Sequence, residues 1–308
     1  MSTTTNQLTD EQIAEYRENG FIGVNDVFSM EEVEELRRVT DEFVQQSAEL
    51  TEHTDIFDLD FAAGHSPETP KLRRITSPHM RHPVYDAAMR KEGLLDIIEQ
   101  LLGPNIKLHH TKLNMKAPGG GAQVEWHTDW GFYPATNDDI LEIGLTFDDM
   151  EIENGCLMGI PGSHKWPALS HHQDGYFIGA VSEDDFDMEE AVPIRIKAGG
   201  VSIHHVRTLH GSAPNISDRP RRLLLMGYQA ADAWPLRGVP DWDAWTGDIV
   251  RGEATNRPRL ERVPVAMPLP AHPEPAGSIF ELQEQLETSH FAAELDAAGI
   301  QAEQQQQQ

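Results

Sequence analysis

Trp126-His127-Thr128-Asp129-Trp130 is the stretch around which the rest of this chain is organised. It places a histidine and a carboxylate two residues apart, in a segment predicted to be a β-strand. In a strand, the side chains of residues i and i+2 point to the same face, so His127 and Asp129 can reach one point in space. With one further histidine they form a two-histidine-one-carboxylate set, which binds Fe(II) and leaves three coordination positions open.

The third ligand of such a set must come from another strand, and the segment Leu209 to Asn215 supplies His210. A histidine two residues before a carboxylate is weak evidence alone, because the chain has 15 histidines and a hydrogen-bonded core pair is an alternative. His204 and His205 are rivals, since either can point inward. We favour His210 because the sequence that follows it contains Arg221, which can bind a co-substrate of the iron.

Arg221 stands 11 residues after His210, at the start of an apolar predicted strand. An iron site with three open positions needs a bidentate co-substrate and O2, and a 2-oxo acid binds iron through its keto oxygen and one carboxylate oxygen. The far carboxylate of a 2-oxo diacid needs a planar partner, which a guanidinium provides. Arg222 points to the opposite face. A solvent-facing surface charge is the alternative for either arginine.

Helices are predicted before the strands. Thr9-Asp10-Glu11-Gln12 and Ser29-Met30-Glu31-Glu32 are capping boxes that each open a helix. A third helix is predicted from Tyr85 to Leu102, and a long loop from Thr51 to Pro83. The predicted strands are 106–116, 123–128, 141–147, 155–160, 192–196, 200–205 and 222–229. This order favours a mainly β fold with N-terminal helices and a closed or double-sheet core, and disfavours a doubly wound sheet.

We predict one domain over residues 1–303, divided into a helical part (8–103), a β core (about 104–235) and an irregular C-terminal extension (236–303). A short helix is predicted within that extension, from Phe280 to Leu286. The glutamine-rich tail 304–308 is predicted to be disordered.

Composition limits the partners. The net charge of -27, from 24 basic and 51 acidic residues, argues against nucleic acid and against anionic membranes. A single cysteine, Cys156, excludes an intrachain disulfide and a cysteine-based zinc site. No signal peptide and no long apolar run is apparent, so no membrane partner is expected and a cytoplasmic location follows by default.

Several motifs together resemble the phytanoyl-CoA dioxygenase (PhyH) family of Fe(II)/2-oxoglutarate oxygenases, and the resemblance extends over most of the chain to about Pro235. The matching elements are Asn114-Met115-Lys116, Trp126-His127-Thr128-Asp129, Glu153-Asn154-Gly155-Cys156-Leu157, Pro161-Gly162-Ser163-His164-Lys165 and His210-Gly211-Ser212-Ala213-Pro214-Asn215-Ile216-Ser217. The spacing to Arg221 matches as well.

The resemblance implies a double-stranded β-helix core, the jelly-roll or cupin-like fold. The implied iron ligands are His127, Asp129 and His210. The residues implied to bind 2-oxoglutarate are Arg221, Ser212 and Asn114. The implied reaction uses 2-oxoglutarate and O2 to hydroxylate an unactivated C–H bond of a small-molecule metabolite, with release of succinate and CO2.

The substrate pocket is expected on the open side of the iron, and core packing is the alternative for its aromatic residues. The candidate lining residues are His110, Lys112, Trp130, Phe132, Tyr133 and Arg207. Two other functions stay open: a jelly-roll protein that binds metal without turnover, and a zinc hydrolase or isomerase with the same three ligands. Zinc catalysis would not need Arg221. A monomer or a homodimer is expected.

Overall fold

A computed structural model describes residues 6–181, 186–239, 241–269, 278–283, 286 and 289–291. The predicted tail 304–308 lies outside the described residues. The division of 1–303 into three parts stays a prediction.

Four helices precede the long strands, as predicted, and two short ones follow them in the described part of the chain. They are α1 Asp10–Asn19, α2 Met30–Gln46, α3 Pro83–Met89, α4 Glu92–Leu102, α5 Trp242–Gly247 and α6 Ile279–Gln283. Both predicted capping boxes form, with the side chains of Thr9 and Ser29 accepting hydrogen bonds from the N–H groups of Gln12 and Glu32. The third predicted helix is two helices, because the chain leaves helical geometry at Arg90 and Lys91.

The strands form two main antiparallel sheets. They are β1 Phe21–Val24, β2 Phe57–Leu59, β3 Leu72–Thr76, β4 Ile106–Lys116, β5 Val124–His127, β6 Ile140–Thr146, β7 Leu157–Gly159, β8 His172–Gln173, β9 Tyr176–Phe177, β10 Val192–Ile194, β11 Val201–His205, β12 His210–Ser212, β13 Arg221–Ala230 and β14 Ile249–Arg251. The larger sheet has the order β1-β11-β6-β13-β4-β3-β2, with β14 also paired to β4. The smaller sheet has the order β10-β7-β12-β5, and β8 pairs with β9 in a separate ribbon.

The predicted fold class, a mainly β jelly-roll with N-terminal helices, is confirmed by this arrangement. The predicted loop from Thr51 to Pro83 is wrong in part, because it contains β2 and β3. These strands are too short to show an alternation in sequence. They form because β3 pairs with β4, with Ile75 opposite Leu113, and so extends the larger sheet.

Each long strand of the larger sheet has one face toward the helices and one toward the smaller sheet, since side chains alternate along a strand. On β4, Leu113 and Met115 join the apolar core that includes residues of α2 and α4. Lys112 and Asn114 alternate with them and line the cavity between the two sheets. Polar side chains therefore face inward, where the functional site lies.

Within the described residues, no helix is both long enough and apolar enough to cross a membrane.

The core between the helices and the larger sheet gives a stability prediction. Ile143 on β6 is fully buried in this core, and Ile143→Ala is expected to lower the free energy of unfolding by about 2–5 kcal/mol through lost burial and a residual cavity. Urea denaturation measures the change. Leu260, which is 77% exposed, is the control, and Leu260→Ala should change the free energy of unfolding by no more than about 0.5 kcal/mol. Equal effects of the two variants would contradict the placement of this core.

Candidate metal centre

Strand pairing brings the two predicted histidine ligands together. β5 and β12 are antiparallel neighbours, with His127 directly opposite His210 and their ring centroids 4.2 Å apart. The strand predicted over 123–128 is β5, which stops at His127, and Asp129 opens a 3-10 turn. Thr128 between them is still extended, with φ -114° and ψ 139°, so the side chains of His127 and Asp129 stay on one side.

His127, Asp129 and His210 are buried, and one potential ligand atom from each lies within 4.8 Å of those of the other two. The Nδ1–H of His127 donates to the Glu125 carbonyl (2.7 Å), and that of His210 to the Thr208 carbonyl (2.9 Å). These bonds leave Nε2 of both rings free to bind a metal. Burial lowers the pKa of His127 to about 4 and that of His210 well below its usual range. Both imidazoles are therefore neutral, as a metal ligand must be.

The Asp129 carboxylate is oriented from two sides. Its Oδ1 accepts a hydrogen bond from the Tyr133 hydroxyl (2.8 Å), and its Oδ2 lies 3.1 Å from Nε2 of His204 and 3.8 Å from Nε2 of His210. Burial opposes ionisation, but the hydrogen bond from His204, helped by the charge of Lys112, holds the pKa of Asp129 well below its usual range. Asp129 is therefore an anionic ligand candidate.

The rival histidines take other places. His204 lies against Asp129 but outside the set of three ligand atoms, which is the sole set of this kind among the described residues. The His205 ring lies 5.4 Å from the ring of His164, outside the cavity that the metal candidates line. His204 is thus placed to orient the carboxylate.

Arg221, Asn114 and Ser212 line the same cavity as the three ligand candidates. Arg221 is buried, and within the described residues its Nε and Nη1 have no hydrogen-bond partner, nor does Oδ1 of Asn114. Burial lowers the pKa of Arg221 to about 10, so its guanidinium is still charged at neutral pH. The nearby Lys116 donates to the backbone carbonyls of Ser212 (3.0 Å) and Ala213. This end of the cavity therefore has positive charge that no carboxylate of the described chain neutralises.

Four of the predicted substrate-pocket residues lie near the metal candidates. Lys112 lines the cavity. Phe132 meets His127 edge-on, with ring centroids 5.8 Å apart. Tyr133 bonds to Asp129, and its hydroxyl also lies 3.2 Å from Oε1 of Glu142.

The fourth of these residues, His110, has its Nε2 3.0 Å from the same Glu142 oxygen. In the strand register, Arg221 is opposite Lys116, whereas Leu225 is opposite Lys112 and Gly227 is opposite His110, so Lys112 and His110 lie farther along the sheet from Arg221.

Trp130 and Arg207 do not line the cavity that contains the metal candidates, and their assignment to the substrate pocket stays a prediction. Trp130 packs in an apolar cluster with Val206, and its Nε1–H donates to the Pro264 carbonyl (2.7 Å). Arg207 pairs with Asp138 (2.9 Å) and donates to the Trp166 carbonyl. The side chains of both residues are used for packing and for links between loops.

Glu142 and His171 were not predicted. Glu142 is buried on β6 and lines the cavity. The signal in sequence is a carboxylate within the otherwise apolar strand Ile140–Thr146. His171 accepts a hydrogen bond at Nε2 from the Thr128 N–H (2.9 Å), which fixes the backbone between two ligand candidates. No sequence motif marks His171.

Residues near the C-terminus cover one side of the cavity. Ile279 on α6 lines it. The Gln283 side chain accepts from the Glu125 N–H (2.9 Å), and Phe291 stacks on Trp126 with ring centroids 6.2 Å apart. The predicted helix Phe280–Leu286 thus corresponds to α6, which packs on the strand that carries His127.

Comparisons with known proteins agree with this geometry. The sequence profile of "Phytanoyl-CoA dioxygenase (PhyH)" matches residues 16–223. A "Probable alpha-ketoglutarate-dependent hypophosphite dioxygenase" of Stutzerimonas stutzeri is 36% identical over 287 residues, with 91% of this chain and 99% of that protein covered. An "Ectoine dioxygenase" of Bordetella parapertussis (strain 12822) is 24% identical over 243 residues, with 73% of this chain and 76% of that protein covered.

The fold is shared with solved structures. "EctD from S. alaskensis with bound Fe" superposes with a TM-score of 0.62 at 24% identity, over 86% of this chain and 90% of that chain. The predictions of the family, of a non-haem Fe(II)/2-oxoglutarate-dependent dioxygenase and of its cofactors are confirmed. From its profile match and its 36% identical relative, the chain belongs to the phytanoyl-CoA dioxygenase (PhyH) family.

Proposed function

We propose that this dioxygenase binds Fe(II) through His127, Asp129 and His210, binds the far carboxylate of 2-oxoglutarate through Arg221, and oxidises hypophosphite to phosphite. The observation that carries the proposal is the unpartnered, buried guanidinium of Arg221 in the cavity that contains the three ligand candidates. A buried charge without a partner is costly unless a ligand pairs with it.

The residues present fit Fe(II). Two neutral imidazoles with free Nε2 atoms and one carboxylate are the donor set that non-haem Fe(II) oxygenases use. When bound, Fe(II) with 2-oxoglutarate and O2 supplies a two-electron oxidation and releases succinate and CO2. Glu125 and Thr208 fix the orientation of the two rings through their carbonyls, and Tyr133 fixes that of the Asp129 carboxylate.

The residues also fit 2-oxoglutarate. The Arg221 guanidinium offers two N–H groups to a carboxylate in a planar fork, and the Asn114 side chain lies in the same cavity. Leu157, Leu223 and Leu225 line the space around them and exclude water from it. Buried charge-assisted hydrogen bonds in such a site are stronger than those in water.

Hypophosphite is proposed as substrate because the 36% identical relative, which aligns over 99% of its own length, is named as a hypophosphite dioxygenase. The reaction is H2PO2⁻ + 2-oxoglutarate + O2 → H2PO3⁻ + succinate + CO2. One oxygen atom enters a P–H bond and gives P–O–H, and the other enters succinate. Hydroxylation of a C–H bond in a small metabolite stays the alternative prediction, with ectoine as the model substrate because a 24% identical relative is an ectoine dioxygenase.

A zinc hydrolase or a metal-binding protein without turnover would have no use for Arg221. The unpartnered guanidinium therefore favours the oxygenase over both alternatives. Whether the chain is a monomer or a homodimer, and its cytoplasmic location, stay predictions.

The substrate is tested by turnover. Protein loaded with Fe(II) without oxygen, then given 2-oxoglutarate, O2 and hypophosphite, is expected to release succinate and phosphite in a 1:1 ratio. Phosphorus NMR measures phosphite, and zinc-loaded protein is the control. Succinate release that depends on ectoine and not on hypophosphite would instead support C–H hydroxylation. No release with either substrate would contradict the proposed function.

Iron binding by variants tests whether His210 or His204 is the third ligand. Wild-type protein is expected to bind one Fe(II), and His210→Ala is expected to lose it because a ligand atom is gone. His204→Ala should keep one Fe(II) at saturation with affinity weakened by about 10- to 100-fold, as expected when a group that orients a ligand is removed. Anaerobic titration followed by metal analysis measures both. Loss of iron in His204→Ala with retention in His210→Ala would reverse the assignment.

Arg221→Met is expected to raise KM for 2-oxoglutarate by at least about 10-fold, because the charge-assisted hydrogen bonds to its carboxylate are lost. The ligand-free variant should melt at no lower temperature than wild type, since an unpaired buried charge is removed.

Arg222→Met is the matched control, because Arg222 bonds to Asp148 on the opposite face of the same strand. It should lower stability and leave KM for 2-oxoglutarate unchanged. An unchanged KM in Arg221→Met would show that the co-substrate is bound elsewhere.

A further inference from the structure

Lys112 has a free positive charge beside the metal candidates. It is half-buried on β4 and lines the cavity. Within the described residues its ammonium makes no hydrogen bond and no ion pair, whereas Lys116, two residues on, donates to two backbone carbonyls. A cation that faces a cavity without an internal partner is available to a ligand.

The charge of Lys112 acts on the metal end of the cavity. It lowers the pKa values of Asp129 and Glu142 after the neighbouring histidines, whereas burial raises both. The strand register places Lys112 along the sheet. On β13, Arg221 is opposite Lys116, whereas Leu225 is opposite Lys112 and Gly227 is opposite Glu142, so Lys112 lies closer to the level of Glu142 than to the proposed 2-oxoglutarate end.

Glu142 offers a free acceptor on the same side. Its Oε1 lies 3.2 Å from the Tyr133 hydroxyl and 3.0 Å from Nε2 of His110. Its Oε2 is buried and has no hydrogen-bond partner among the described residues. Leaving such an oxygen unsatisfied costs about 1–3 kcal/mol, so a donor from a ligand would be favourable.

The two groups do not neutralise each other directly. Lys112 and Glu142 lie on strands that flank β13, where Gly227 is opposite Glu142 and Leu225 is opposite Lys112. A Cβ at Gly227 would come 2.7 Å from Oε1 of Glu142. It would also come 2.9 Å from Cε1 of His110, so a glycine at this position lets the side chains of Glu142 and His110 meet over β13.

We propose that Lys112 and Glu142 form the substrate subsite, in which Lys112 binds an anionic oxygen of the substrate and Glu142 sets the accepted charge. This inference rests on the proposed function. For hypophosphite, one of its two oxygens pairs with the ammonium of Lys112. After oxidation, the new P–O–H group of the product donates to Oε2 of Glu142.

The Glu142 carboxylate also gives charge selectivity. A monoanion and a dianion both meet the cation of Lys112 and the negative charge of Glu142, which is buried and weakly screened. The repulsion by Glu142 is about twice as large for a dianion, such as fully ionised phosphite, as for a monoanion. The subsite therefore selects small monoanions and releases a product that ionises a second time.

Lys112→Met tests the cationic half. In the iron- and 2-oxoglutarate-loaded enzyme, KM for hypophosphite is expected to rise about 10- to 100-fold, with KM for 2-oxoglutarate and iron stoichiometry unchanged. Lys112→Arg should restore part of the loss, and Lys197→Met, at an exposed lysine that pairs with Asp149, is the control. An unchanged KM for hypophosphite, or a raised KM for 2-oxoglutarate instead, would overturn the assignment.

Calorimetric titration of hypophosphite into the anaerobic loaded protein separates the two proposals. Wild-type protein that binds hypophosphite without turnover would end the proposed function, while weaker binding by Lys112→Met would still support the subsite. Binding that is equal in both proteins, or absent from the wild type, would overturn the subsite.

Glu142→Gln tests charge selectivity, since glutamine keeps the size of the side chain and removes its charge. Inhibition by phosphite, measured above the second pKa of phosphite, is expected to tighten about 10-fold once the repulsion is removed. Folding is checked by iron stoichiometry, which should stay at the wild-type value. Unchanged phosphite inhibition in a variant that still loads iron would overturn the role of Glu142.

Discussion

The antiparallel pairing of β5 with β12 is the constraint on which the site depends. It sets His127 opposite His210, two residues 83 positions apart in the chain that nothing local would bring together. Because side chains alternate along a strand, a slip of one residue in this register would turn one imidazole out of the cavity. The larger sheet supplies the groups that orient the third ligand candidate. His204 contacts Asp129, and Glu142 contacts Tyr133, both from the side opposite the smaller sheet.

The second constraint is electrostatic. The chain as a whole has a net charge of -27, yet the cavity contains Arg221 and Lys112 without carboxylate partners in the described chain and Lys116 bonded to carbonyls. Asp129 and Glu142 line the cavity, but neither forms an ion pair with Arg221 or Lys112 in the described chain. These two cations are therefore left to pair with anions from solution. Any ligand that binds only the folded protein adds to its stability, by about 2.7 kcal/mol at 100 times its Kd. Bound co-substrate therefore also supports the fold around it.

Much of this arrangement could be predicted from the sequence, because the information is local. The capping boxes at Thr9 and Ser29 determine two helix starts, and each long strand is marked by apolar residues between turn signals. The motif around His127 and the spacing from His210 to Arg221 led to the correct family. What the sequence did not reveal was non-local. β3 is a strand because β4 offers it an edge, and β2 in turn pairs with β3. The contacts of Trp130 with Pro264 and of Arg207 with Asp138 join segments that are distant in the chain, and no spacing indicates them.

For Glu142, the sequence indicates that the residue is unusual but not which residues it contacts. A carboxylate in an apolar strand indicates a special role, but its partners Tyr133 and His110 come from separate segments. The sequence therefore marks the residue without its neighbours. The contacts of such a residue can be identified only in the folded structure, where the separate segments meet.

The C-terminal contacts have a consequence for how such enzymes diversify. The family profile ends at residue 223, whereas Ile279, which lines the cavity, comes from beyond that point. Gln283 and Phe291 hold this later stretch to β5 through the Glu125 N–H and the Trp126 ring. The three ligand candidates and this lining residue are thus encoded in separate stretches of the chain. Sequence changes in the later stretch can therefore alter the shape of the pocket without changing the residues that would hold the iron.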